Sequence, residues 1–76
     1  TAIMFEVKEE SAVRVEVYNI KGQLVRSLVN EVVGMGQHSF EWSGIDNGNR
    51  SVSSGVYFCK VQIGSDNFTS KMIMLK

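Results

Sequence analysis

Apolar side chains recur at every second position along most of this chain, a period that leaves room for little besides pleated strands. Ile3, Phe5 and Val7 alternate with Met4, Glu6 and Lys8, and Val13, Val15 and Val17 alternate with Arg14, Glu16 and Tyr18. Further along, His38, Phe40 and Trp42 alternate with Ser39, Glu41 and Ser43, while Tyr57, Cys59, Val61 and Ile63 alternate with Val56, Phe58, Lys60 and Gln62. Successive side chains of a strand point to opposite faces, so the first set in each run is expected to face a core. β-Branched valines suit a pleated surface. Turn signals recur roughly every eight to twelve residues, which predicts an antiparallel sandwich.

The punctuation between runs is specific. Asn19-Ile20-Lys21-Gly22 reads as a tight turn in which Asn bonds its own backbone and Gly supplies a positive φ. Leu24, Val25, Leu28 and Val29 have a spacing that fits one helical turn as well as an irregular strand. The β-branched Val32 and Val33, followed by Gly34 and Gly36, favour the strand. Gly44 to Ser54 is a long polar loop with a turn expected among Asp46, Asn47, Gly48 and Asn49. Gly64-Ser65-Asp66-Asn67 is a further turn, and Phe68 to Lys76 is the closing strand. Near its end that strand is apolar on both faces, with Met72 and Met74 on one and Ile73 and Leu75 on the other. Such a strand is buried on both sides, or bulged, or leaves a sticky face exposed.

Length and charge narrow the function classes. Seventy-six residues make one domain, 1–76, with 43% apolar residues and no net charge. A unit of that size hides only about 60% of the surface its unfolded chain exposes, so its stability is small. No basic patch stands out, which argues against nucleic acid. No apolar run approaches the ~20 residues of a membrane helix, so no transmembrane segment is expected. There is no Pro, repeat or low-complexity tract. The chain opens at Thr1 and already reads as a strand by Ile3, so it is expected to be a fragment of something longer.

The residues that could carry chemistry do not converge. His38 is the only histidine, and it shares a core-phased run with Phe40 and Trp42. Cys59 has the phase of a small buried hydrophobe, with nothing nearby in sequence to make a thiolate. As the only cysteine it cannot close an internal disulfide. Ser51, Ser53 and Ser54 lack nucleophile-elbow spacing. Asp46, Asn47 and Asn49 supply hard oxygens in one loop, but without the alternation and distal Glu of an EF-hand calcium site; the same residues cluster in turns for backbone reasons. Asn49-Arg50-Ser51 and Asn67-Phe68-Thr69 match the glycosylation triplet, which is frequent by chance. Trp42 could be a sugar-stacking platform, although its phase places it in a core. The expected result is no catalytic residue, no metal and no cofactor.

The chain's carboxyl end is the remaining feature. Lys71-Met72-Ile73-Met74-Leu75-Lys76 is an apolar run held between two lysines. Termini fray unless tied into a sheet. The run is therefore the last strand of a core, whose lysines blunt an edge, or an address that another protein reads, for instance by strand addition.

Two stretches resemble a family. The first is Val17-Tyr18-Asn19-Ile20-Lys21-Gly22, continuing to Leu28, then Gly36-Gln37-His38-Ser39-Phe40-Glu41-Trp42-Ser43-Gly44. The second is Ser54-Gly55-Val56-Tyr57-Phe58 leading to Lys71 through Lys76. Together they resemble the C-terminal sorting domain (type A) of the type IX secretion system of Bacteroidetes. The same core pattern is similar to the Ig-like domain of flagellar hook-capping proteins. The chain opens after the point where the sorting family often has an Asn-Pro-rich lead-in, and departs from that family in Ser43 where an Asp is common and in Cys59 where an aromatic is common. The resemblance implies an Ig-like antiparallel β-sandwich of about six to seven strands. It further implies a secretion signal, not an enzyme, that ends a cargo protein and directs it through the periplasm and across the outer membrane to the cell surface or medium. The implied partners are the outer-membrane type IX translocon, a sortase-like peptidase and the N-terminal cargo domain. The implied recognition residues are Gly55, Tyr57, Lys71, Met72, Ile73, Met74, Leu75 and Lys76. The competing expectations are a structural Ig-like module of a hook-cap-like assembly, and an accessory carbohydrate-binding module with an exposed Trp42 or Tyr18.

Overall fold

The alternating runs become strands in the computed structural model, which describes residues 2–75. They are β1 (Ala2–Val7), β2 (Ser11–Asn19), β3 (Leu24–Val33), β4 (Gly36–Glu41), β5 (Gly55–Ile63) and β6 (Asp66–Met74). Strands β1 and β4 pair antiparallel in a two-stranded sheet, and the other four form a sheet in the order β3-β2-β5-β6. All pairings of the larger sheet are antiparallel. The protein is thus an all-β, Ig-like sandwich of six strands.

The core lies where the predicted inward sets meet. Val13, Val15 and Val17 from β2 lie on the same sheet face as Tyr57, Cys59 and Val61 from the neighbouring β5, and all six are buried. Val7 from β1 and Trp42, just after β4, close it from the smaller sheet. Trp42 is 1% exposed and meets the Tyr57 ring edge-on at 5.0 Å. Its indole N–H donates to the Ile45 carbonyl at 3.0 Å, so burial leaves that polar group satisfied. A side chain held this way cannot stack on a sugar, which removes Trp42 as a binding platform.

Strand β3 explains its own ambiguous spacing. The β2–β3 register jumps between Val15↔Val29 and Glu16↔Ser27, and again between Val17↔Arg26 and Tyr18↔Leu24. Each jump leaves one extra residue, Leu28 and then Val25. A bulge shifts the side-chain phase of everything beyond it. Val25, Leu28 and Val29 therefore all pack on the core although their spacing is not that of a regular strand.

The turns behave as their residues dictate. Asn19 Oδ1 accepts from the amides of Lys21 and Gln23, both at 3.0 Å, and φ is 81° at Gly22. The last turn is shorter than the sequence suggests. Ile63 pairs with Asp66, so only Gly64 and Ser65 lie outside the ladder, and Asp66 and Asn67 belong to β6. With φ of 59° at Gly64, the first of the two central residues, the loop suits the twist of a two-residue hairpin.

Candidate functional site

The two halves of the second resembling stretch lie side by side. Gly55 pairs with Met74, Val56 with Ile73, Tyr57 with Met72 and Phe58 with Lys71. The loop leading into β5 is fixed from below by Tyr57, whose hydroxyl donates to the Ser53 carbonyl at 2.6 Å. Gly55 opens the strand at φ 156°, a backbone conformation that favours glycine.

Parity divides the closing strand. Met72 is buried opposite Tyr57, and Met74 packs partly against the core. Lys71, Ile73 and Leu75 point the other way and are exposed, Ile73 at 63% and Leu75 at 83%. Of the three alternatives for this strand, the exposed sticky face is the one found. Lys76, the last of the recognition residues read from the sequence, lies outside the described residues. Strand β6 bonds only to β5, so its other side is a free edge of the sheet. All nine β5–β6 pairs run without a register break.

The residues with the chemistry to act as nucleophile, base or ligand are each engaged in the structure. Cys59 is buried, and that burial pushes its thiol above the ordinary value, away from a nucleophilic thiolate. His38 Nε2 lies 2.8 Å from the Gly34 carbonyl, and since a carbonyl only accepts, that nitrogen carries the proton. The ring also stacks on Phe5 at 5.8 Å. In the polar loop, Asp46 Oδ1 accepts from the Arg50 amide at 2.9 Å and its other oxygen lies 3.5 Å from the Arg50 guanidinium. These interactions, the amide bond first, hold the Asp46 carboxyl below the usual carboxylate range. Asn47 Oδ1 accepts from the Ser27 amide at 3.0 Å, and Arg26 donates to the Asp46 carbonyl at 2.8 Å. Of the side-chain oxygens that suggested calcium, that of Asn47 thus ties the loop to β3 and those of Asp46 brace the loop's own turn. Among the described residues, no group of three or more His, Cys, Asp or Glu is placed to hold a metal ion. Among the same residues, no helix is long and apolar enough to cross a membrane.

The comparison with protein families decides the relationship. The family described as the FlgD Ig-like domain matches residues 1–67. The chain belongs to that family. The match ends at Asn67, just before the run Phe68 to Lys76, so the FlgD Ig-like pattern covers the sandwich as far as the first two residues of β6. Comparison with curated proteins and with solved structures yields no match.

Sequence reasoning passed over one surface. Tyr18 and Phe58 each fall on a solvent-facing set, but only the register shows that they are direct neighbours. The available signal was an aromatic at the same end of two adjacent strands, which a strand-by-strand reading does not combine.

Proposed function

We propose that this chain is a non-catalytic Ig-like module of a longer polypeptide, and that it works by docking onto other proteins as a structural part of an assembly such as a flagellar hook cap. Membership of the FlgD Ig-like family supports the structural role. The observation that carries the docking is the closing strand, a regular free edge with Ile73 and Leu75 exposed beside it. An unpaired edge with apolar side chains is a ready surface for another protein. The test is native mass spectrometry of the full polypeptide from its own host, intact and carrying Ile73→Ser with Leu75→Ser. The intact form is expected in a complex and the variant as a free chain of unchanged fold. An intact polypeptide that never leaves the monomer mass defeats the reading.

A second reading is favoured by the residues outside the family match. Lys71 to Lys76 form the lysine-bounded apolar end that resembles a type IX sorting signal, and its described outward residues are reachable by a receptor. In this reading the partners are the outer-membrane translocon and a sortase-like peptidase, and the module carries its cargo to the cell surface or medium. Deleting the whole run would confuse export with folding, because Met72 is a core residue. The exposed pair is the sharper probe. A periplasmic reporter fused ahead of residues 1–76 in a type IX-competent host should reach the surface, and Ile73→Ser with Leu75→Ser should hold it in the periplasm. Equal export of both forms would remove the tail from the signal, and no export of either would end the sorting reading.

A further inference from the structure

The outward face of the four-stranded sheet is not the polar surface that a solvated antiparallel sheet usually shows. The register lines up Leu24, Tyr18, Phe58 and Lys71 in one row across all four strands, with Val56 and Ile73 paired beside it. Leu24 is 47% exposed and Ile73 is 63% exposed, while the two aromatic rings between them are half-buried. Tyr18 is held in place at both ends. Its hydroxyl donates to Glu16 at 3.0 Å, and the Lys60 ammonium sits 4.8 Å over its ring. An aromatic fixed before binding loses little freedom on binding, which is what interface anchors require.

The charges on this face have one sign in excess. Among the described residues of this face, Arg14, Lys60 and Lys71 point outward with Glu16 as the only acid, and Glu16 lies opposite Lys60 and accepts from Tyr18. The chain as a whole has no net charge, so the balancing excess of acids lies off this face.

The geometry points to this sheet face as a docking surface for a protein whose own contact patch has an apolar centre bordered by carboxylates. The inference rests on the reading of the chain as a docking module and widens the contact from the closing strand to Leu24, Tyr18 and Phe58. An apolar centre with complementary charges at its rim is the usual plan of such interfaces.

The test is site-specific photo-cross-linking in the native host, with the full polypeptide carrying benzoylphenylalanine at position 24 or 58. Met4 and Met35, exposed at 74% and 76% away from this face, are the control positions. Positions 24 and 58 should cross-link to one and the same protein, through peptides that contain Asp or Glu, with the controls silent. Lys71→Glu with Lys60→Gln should lower the yield about tenfold, the scale of electrostatic steering. Gln is chosen at position 60 because a Glu there would face Glu16 across the strand pair. A yield unchanged in that variant overturns the inference, and the unmodified background still reports the cross-link pattern if the variant is poorly folded. Cross-links from the controls but not from 24 and 58 overturn it too, while leaving the docking module standing. Silence from every position overturns both. Sedimentation of the polypeptide with phosphatidylglycerol vesicles, abolished by the same substitutions, would assign the face to a membrane and overturn the protein partner.

Discussion

At the scale of single residues, the fold depends on a few polar groups tied to backbone partners. Tyr57 carries most of its area into the core, but its hydroxyl also closes the loop before β5 at 2.6 Å from the Ser53 carbonyl. Tyr57→Phe keeps the packing and orphans that carbonyl. The expected loss is about 1 kcal/mol. For a domain this small it lowers Tm by about 4–8 °C, read by thermal circular dichroism. Asp46 makes a prediction in pH. Its folded-state carboxyl titrates below the usual range, chiefly because it accepts the Arg50 amide. The stabilisation is therefore fully present above the ordinary carboxylate range and is lost as pH falls through the lowered folded value. The Arg50 amide resonance should move in that acid window and stay put in Asp46→Asn. A resonance insensitive to pH there would mean that the Asx turn holds without the charge.

At the scale of elements, the sequence was legible wherever a strand is regular and opaque wherever it is bulged. Val13, Val15 and Val17 announced their face because β2 keeps strict alternation through the core. Leu24 to Val29 could not, since two register breaks reset the phase within six residues of the chain, 24 to 29. Periodicity is a property of one strand, whereas a bulge is a mismatch between two. The same limit hid the Tyr18–Phe58 row, which exists only once β2 and β5 are in register. The tail was half legible. Its two apolar faces were plain, but which one the sandwich buries depends on Met72 falling opposite Tyr57. The final hairpin gives this scale its own prediction. At φ 59°, Gly64 occupies a conformation that costs a side-chain-bearing residue about 1 kcal/mol or more. Gly64→Ala should lower the urea midpoint without changing the slope. Ser65→Ala, at the neighbouring position with ordinary φ, should change little.

At the scale of the whole molecule, a sheet of two strands covers a sheet of four, and the cover is incomplete. Strand β1 flanks an open groove floored by Val61, Ile63 and Met72, and at its margin Phe68 remains 56% exposed. The interior is correspondingly narrow, and Trp42 and Cys59, each 1% exposed, sit in the same layer of it. Neither can be uncovered by local fraying of a turn, because Trp42 is wedged against Tyr57 and Cys59 is paired on both sides, with Val17 and with Ser70. Small single domains of this kind unfold in one step. Loss of buried-indole fluorescence and exposure of the thiol to a disulfide reagent should therefore share one urea midpoint. The free-edge strand is the place where this could break down, since β6 has one neighbour where β5 has two. If the thiol reacts at lower urea than the indole reports, then β6 detaches from β5 before the core opens, and the surface offered to a partner is a detachable strand. Coincident midpoints instead mean that the docking edge is as stable as the core beneath it, so a partner meets a rigid surface.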